Sequence, residues 1–330
     1  MQPARSFRDR FLPDWFLVGM VVAIFVAWLF PAPGAAGGVL QPELLTKAGI
    51  AVIFFMNGVL LSFAAMRAGI FQWRAHMLIQ GTTYLLFPLI GFALLTFGQG
   101  MVAPALMLGF FFLCALPSTV SSSVAMTSMA KGNVPVAVFN ATLSSIIGIA
   151  LTPLWVGLVL QGGGVVIPMG SVIVDLLCWV VMPLVIGQLL RPWLGAFAQR
   201  HRKWVSRTDR SIILLLVYTS FCDSFMQGIW VSHDRWTLAL TGIATGALFF
   251  TVLAAMLWLT RALRLSPALR SAVVFCGSKK SLATGVPMAH LMFAGDAGMG
   301  LILLPIMLYH PLQMLVCVPL ANRWGARSGL

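Results

Sequence analysis

Apolar runs recur about every 30 residues along the whole chain, separated by short polar or basic intervals. Each run is long enough to supply the ~20 residues a helix needs to cross a ~30 Å hydrocarbon core. Ten such runs can be counted, at 13–30, 44–66, 74–96, 101–130, 133–160, 167–190, 210–230, 236–260, 267–294 and 298–321. The pattern predicts an all-α membrane protein of ten transmembrane helices.

Two of these runs are not uniformly apolar. The fourth carries "ALPSTVSSSVAMTS" at 115–128 near its middle and the ninth carries "CGSKKSLATG" at 276–285. Pro117 removes a backbone donor and clashes with the preceding turn, so a helix arriving at Leu116 is expected to kink or stop there. Gly277, Ser278 and Ser281 loosen the ninth run in the same way. Paired interrupted helices at matching points of two halves point to a transporter binding site, because unwound backbone and half-helix ends place donors and acceptors at the midplane.

Lys279 and Lys280 lie in the second of these stretches. Lys280 is about 13 residues, or about 20 Å of helix, from either end of its span, beyond the reach of a lysine arm seeking the headgroups. A cation in hydrocarbon costs at least ~2.5–3.5 kcal/mol. Each lysine must therefore meet water, an anion, a carboxylate or neutrality. Asp223 in the seventh span and Asp175 in the sixth are the carboxylates placed to form an ion pair with one of them. The functional alternative is a lysine that faces a wet crevice, where it binds an anionic substrate, stands in for a coupling cation, or titrates.

Beside Pro117 stand Ser118, Thr119, Ser121, Ser122 and Ser123, more hydroxyls than helix packing usually needs. The fifth span adds Asn140, Ser144 and Ser145, with Asn140 and Ser144 one turn apart on one face. Oxygens of this kind suit a sodium ion, for which Ser122, Ser123, Asn140 and Ser144 are the candidate ligands, or polar groups of a substrate. Gln80, Tyr84, Gln188 and His310 are isolated polar positions for which an interhelical hydrogen bond is the simplest role; His310 can change charge near neutral pH. Gln80, Cys276, Ser278, Ser281 and His310 complete the candidate set. No cofactor is expected other than sodium.

Composition and charge sharpen this picture. Of 330 residues 60% are hydrophobic and 9% charged, against about 25% charged in soluble domains. The net charge of +13 is not gathered into a nucleic-acid-binding domain. Seventeen of the 21 Lys and Arg residues fall on one side of a ten-span layout, only Lys47 and Arg235 on the other, and Lys279 and Lys280 within a span. That bias orients both termini to the cytoplasm, as expected of a multi-pass protein of the cell (inner) membrane. The basic start and small residues near Ala35 superficially resemble a signal peptide, but removing this segment would break the symmetry of the layout. All five cysteines lie in apolar runs without paired or metal-like spacing, which reads as packing.

Ten spans divide into two sets of five, residues 1–162 and 163–330, and an odd-numbered set enters the membrane in opposite senses in its two copies. "MAKGNVPVAV" after the fourth span parallels "MFAGDAGMGL" after the ninth. In each, Gly132-Asn133 or Gly295-Asp296 is expected to close one helix in left-handed geometry and cap the next.

At these residues the chain resembles the bile acid:sodium symporter family, most closely a divergent bacterial branch similar to the seventh human member. "LPSTVSSSVAMTSMAKGNVPVAV" resembles the family's Pro-Gly-Gly-x-Ser-Ser-Asn segment followed by Ala-basic-Gly-Asn. "FCGSKKSLATG" falls where the family carries Glu-x-Gly-x-Gln-Asn. The resemblance implies two inverted five-helix repeats with broken, crossing fourth and ninth helices. It also implies two sodium ions held by the ninth-helix glutamate and glutamine with oxygens of the third, fourth and fifth helices. Here those two positions read Cys276 and Lys280, and the Gly-Gly reads Ser118-Thr119, so a lysine in place of sodium becomes the sharper expectation.

The expected function is secondary transport of a small organic anion by alternating access, with the lipid bilayer as surroundings and no obligate protein partner or nucleic acid. No Walker motif or nucleotide loop is present. The alternatives are a membrane regulator or scaffold that keeps the fold without transport, and an intramembrane enzyme in which Lys280 activates a serine such as Ser118.

Overall fold

The computed structural model describes residues 15–61, 71–98, 102–162, 169–226, 235–293 and 298–327, with positions 100, 228 and 296. The chain start with Arg5, Arg8 and Arg10, the signal-peptide-like basic stretch, Arg67, and Gly295 lie outside the described residues. Among the described residues every regular element is helical.

In chain order the helices are α1 (Trp15–Leu29), α2 (Pro42–Leu60), α3 (Trp73–Phe97), α4 (Pro104–Ala115), α5 (Ser121–Met129), α6 (Val134–Gly162), α7 (169–200), α8 (Arg202–Met226), α9 (Arg235–Ala262), α10 (Pro267–Gly277), α11 (Leu282–Met292) and α12 (Met299–Arg327). Among the described residues six helical stretches are long and apolar enough to cross a membrane, namely Pro42–Leu60, Trp73–Phe97, Val134–Leu160, Val172–Arg200, Trp236–Ala262 and Met299–Arg327. The expected fourth and ninth spans are instead pairs of short helices, α4 with α5 and α10 with α11, because each is interrupted where the polar stretch begins. The expected seventh span starts earlier than the apolar pattern suggested, in a basic first turn at Arg202 and Lys203.

Local sequence accounts for these boundaries. Proline occupies the first turn of α2, α4 and α10, where its missing N–H and fixed φ are no loss. The Ser266 side chain caps α10 by accepting from the Leu269 amide at 3.4 Å. α3 and α7 each contain a single π turn, Thr82–Leu86 and Leu177–Val181, directly before Phe87-Pro88 and Met182-Pro183. A proline cannot donate to the turn behind it, so the ladder shifts by one residue.

The α5–α6 turn differs from expectation. The left-handed residue is Lys131, φ 52°, rather than Gly132. Gly132 is needed for space: a Cβ there would sit 1.8 Å from Ser271 Oγ. Asn133 caps α6 as expected, its Oδ1 accepting from the Val136 amide at 3.1 Å. Asp296 Oδ1 accepts from the Gly298 amide at 2.7 Å just before α12.

Packing sorts the helices into two groups. In one, α2 lies along α7, α1 along α8, and α2 touches α8; in the other, α3 to α6 pack with α9, α10 and α12. α11 lies between them, against α2, α7 and α8 on one side and α12 on the other, and α8 also packs directly on α12. The α2–α7 seam is close because both partners are glycine at the contact: a Cβ on Gly58 would meet Leu184 O at 2.2 Å, and one on Gly187 would meet Phe55 O at 2.2 Å. Backbones approach this closely in membranes only through small residues.

Gly58→Val forces that seam apart and is expected to destabilise the protein by about 1–3 kcal/mol, as overpacking does. Thermal unfolding in detergent reads this as a lowered midpoint, and an unchanged midpoint would mean the helices are not in backbone contact there.

Candidate substrate and ion site

The two interruptions meet. α4 stops at Ala115 and Leu116 turns extended, φ −67° and ψ 153°; α10 stops at Gly277, and Lys279 and Lys280 lie in the non-helical link before α11. The links are laced together by three bonds. The Ser281 amide donates to Pro117 O at 2.9 Å, Ser118 Oγ to Cys276 O at 2.6 Å, and Ser123 Oγ to Phe275 O at 3.0 Å.

A helix ending inside the protein leaves its last carbonyls without main-chain donors. At the end of α4 these are taken one by one: Ala115 O by Thr152 Oγ1 at 2.8 Å, and Cys114 O and Leu116 O by Lys280 Nζ, each at 2.7 Å. The same ammonium donates to Thr83 O at 3.1 Å. That carbonyl is spare for a local reason, since the Phe87 amide reaches back to Thr82 O and Pro88 has no N–H. Three acceptors match the three N–H bonds of an ammonium, and the Phe87 ring covers it with its centroid 4.0 Å from Nζ, a cation–π contact. Lys280 is wholly buried and thus acts as a cap on an intramembrane helix end, where a positive charge also suits the helix dipole.

The main chain of Lys280 is held just as firmly. Gln313 Oε1 accepts from its amide at 3.0 Å and Gln313 Nε2 donates to its carbonyl at 3.1 Å. One turn earlier on α12, Tyr309 donates to Ser278 O at 2.7 Å.

Lys279 is held differently. Its Nζ donates to Ser122 Oγ at 2.8 Å and reaches Met126 Sδ at 3.1 Å. A thioether is a weak acceptor, and both partners belong to α5, whose N-terminus has no side-chain cap. The ammonium is buried, yet Ser122 is only half-buried and Val120 and Ser121 are exposed. One hydroxyl separates this charge from the surface.

The expected ion pairs are corrected by these contacts. Asp175 pairs with Lys47 at 3.4 Å, and Asp223 Oδ1 accepts from the Ala36 amide at 2.7 Å. Backbone carbonyls and a hydroxyl, rather than carboxylates, meet the two buried ammoniums. The suggested activation of Ser118 by Lys280 is not built either, since Ser118 Oγ donates to Cys276 O.

The remaining candidates fall into separate groups. Thr119 Oγ1 lies 2.7 Å from Ser123 Oγ and accepts from Ser122 Oγ at 2.9 Å, beside Lys279. Ser144 Oγ accepts from the Ser118 amide at 3.0 Å, and Tyr84 donates to Ser144 O. Between α3 and α6, Gln80 Nε2 donates to Asn140 Oδ1 at 3.2 Å, Asn140 Nδ2 lies 2.8 Å from His76 Nδ1, and the buried Gln80 Oε1 has no partner among the described residues. Ser122 and Ser123, Ser144, and Asn140 are therefore each engaged in a different cluster.

Ser145 bonds back to Ala141 O at 3.1 Å, Ser278 Oγ to Val274 O at 2.7 Å, and Ser281 caps α11 by accepting from the Thr284 amide at 3.2 Å. The Cys276 thiol points at Ala137 O at 3.8 Å. His310 Nδ1 lies 3.0 Å from Gln313 Nε2, an amide that in turn holds the link. With its own amide turned to donate, Gln188 binds the Gly58 and Leu61 carbonyls at the end of α2. Gln313, Tyr309, Thr83 and Thr152 carry the geometry without having stood out in the sequence; the one available signal was Tyr309 and Gln313 one turn apart on one helix face.

Comparison with known proteins bears on the whole chain. Residues 14–326 match the SBF-like CPA transporter family. The chain is 43% identical over 326 residues to the uncharacterized protein PA2026 of Pseudomonas aeruginosa, covering 97% of this chain and 95% of that protein. It is 40% identical over 318 residues to the putative symporter YfeH of Escherichia coli, with 96% and 94% covered. It is 33% identical over 323 residues to sodium/bile acid cotransporter 7 of Rattus norvegicus, again with 96% and 94% covered.

The two lysines are expected to respond oppositely to loss of charge. Lys280→Met orphans three buried carbonyls at about 1–3 kcal/mol each and should lower the unfolding midpoint sharply. Lys279→Met removes a poorly compensated buried charge and should be neutral or stabilising. Thermal unfolding of the two variants side by side tests this, and the reverse order would contradict the assignment.

Proposed function

The chain belongs to the SBF-like CPA transporter family, and from that premise we propose that it is a secondary transporter of a small organic anion, working by alternating access with a lysine in place of a coupling sodium ion. The observation that carries the proposal is the wholly buried Lys279 ammonium set against the uncapped N-terminus of α5, one hydroxyl from the surface. A helix N-terminus and an ammonium both favour negative charge. An anionic carboxylate or sulfonate at Ser121–Ser123 would complete the weak coordination of Lys279, with Thr119 and the serine hydroxyls as further donors.

In this reading α4/α5 and α10/α11 each count as one crossing, which gives ten crossings in two inverted sets of five at 1–162 and 163–330. Helix pairing supports it. Exchanging the first set for the second turns α2 on α7 into α8 on α1, α4 on α12 into α10 on α6, and α9 on α12 into α3 on α6, and every one of these pairs is in contact. Alternating access is then a rocking of α1, α2, α7 and α8 against the other helices. The cell membrane with both termini cytoplasmic is the setting, supported by the seventeen-to-two distribution of basic residues.

The relatives named for sodium carry that coupling in their own names only. In this chain the ammonium of Lys279 lies within hydrogen-bonding distance of Ser122, one of the four candidate sodium ligands; Ser123 shares that cluster through Thr119, and Ser144 and Asn140 are engaged elsewhere. Transport coupled to protons or to no ion follows more directly than coupling to two sodium ions. Lys280, saturated by three carbonyls, holds the crossing in shape.

Purified protein in liposomes, offered a panel of labelled organic anions under imposed sodium or pH gradients, is expected to accumulate at least one anion without a sodium gradient. Lys279→Gln should reduce that uptake by about tenfold or more, the cost of losing a charged hydrogen bond, with the fold retained in the unfolding assay. Uptake that needs sodium in the parent protein, or that survives Lys279→Gln unchanged, would overturn the proposal.

A further inference from the structure

The junction of α7 and α8 carries a feature that transport does not use. There a groove of about 790 Å³ is lined by Arg200, Arg202, Lys203, Arg207 and Arg210 together with Trp15 and Trp204. Among the described residues no carboxylate lines it; Asp209, the one carboxylate in the first half of α8, lies outside it and interacts electrostatically with Arg210. The aromatic rings back the charges: the Arg207 guanidinium lies 5.6 Å from the Trp204 ring, and that of Arg210 5.9 Å from Trp15 and 5.4 Å from Phe16. Arg200, Arg202, Lys203 and Arg207 are like charges that repel one another around one groove, and the basic residues among them at the start of α8 open a helix whose N-terminal end already favours anions. Among the described residues the clustering of these four charges has no evident structural gain.

A second observation gives the missing partner its shape. Met182, Val185, Leu189, Trp193 and Phe197 are all exposed and recur at helical spacing along one face of α7. The stripe covers about 22 Å of helix, more than half of a ~30 Å hydrocarbon core, and it ends directly below Arg200. Its exposed Trp193 and Phe197, with Trp204 above, stand where aromatic residues favour the membrane interface.

We propose that this groove and stripe form a binding site for one anionic phospholipid, its headgroup phosphate held by Arg202, Lys203 and Arg207 and its acyl chains laid along α7. A cationic pocket over an apolar track is complementary to such a lipid in both charge and polarity. Because α7 packs on α2 and α8 on α1, a lipid spanning the α7–α8 junction touches both arms of the group that moves in transport. This site stands independently of what the crossing binds.

Native mass spectrometry of the full chain released from micelles doped with phosphatidylglycerol or phosphatidylcholine tests the proposal. The expected result is preferential retention of phosphatidylglycerol, by about tenfold or more, lost to the phosphatidylcholine level in the triple variant Arg202→Ala, Lys203→Ala, Arg207→Ala. All three side chains are exposed; if that variant is poorly folded, Lys203→Gln with Arg207→Gln is read in the same way. The pair Arg323→Ala, Arg327→Ala, exposed at the end of α12, removes charge elsewhere and should leave the preference intact. Retained preference in the groove variants, equal loss in the α12 control, or displacement of the lipid by millimolar inorganic phosphate would overturn the assignment, the last by marking a free-phosphate site.

Discussion

A helix that stops inside a membrane protein must find donors for the carbonyls at its end, because no water is there to serve them. The end of α4 meets this demand with a lysine. One ammonium satisfies Cys114 O, Leu116 O and the Thr83 O left spare by Pro88, and Thr152 takes the carbonyl between them. The other interrupted helix, α10, solves the same problem with hydroxyls alone, from Ser118, Ser123 and Tyr309. The crossing is therefore held mostly by bonds from one broken helix to the carbonyls of the other, and each break is stable only because the second exists.

This division separates two neighbouring residues of the same type. Lys280 lies at the carbonyl end of a half-helix, its bonding capacity used and its main chain clamped by Gln313. Lys279 points the other way, toward the amide end of α5, with a hydroxyl and a thioether for company. A charge that is poorly served in one state and can be better served by a ligand is the differential interaction that a conformational equilibrium can respond to. Two adjacent ammoniums are thus served so differently because two half-helices present opposite ends at the same point.

The sequence made the helical class and the positions of both breaks legible, since Pro117 and the run from Gly277 to Ser281 are breakers set inside apolar runs. It also showed that neither lysine could reach the headgroups. The partners of those lysines were hidden, because carbonyl acceptors belong to every residue and leave no trace in side-chain identity; the charges of Asp175 and Asp223 are visible in the sequence, but these carboxylates sit with Lys47 and Ala36. The left-handed turn fell on Lys131 rather than Gly132 because the glycine was needed where Ser271 approaches. Gln313 and Tyr309 are ordinary polar residues in a helix whose sequence also holds His310 and three prolines.

The central claim, that a lysine ammonium closes the open end of an interrupted helix at the crossing, is tested most directly by an electron cryo-microscopy map of the chain in lipid nanodiscs at side-chain resolution. The account requires density for the Lys280 side chain running to the carbonyls of residues 83, 114 and 116, with both helices unwound at the links. An unbroken helix through residues 267–292, or a Lys280 side chain turned toward a carboxylate or the lipid, would contradict it.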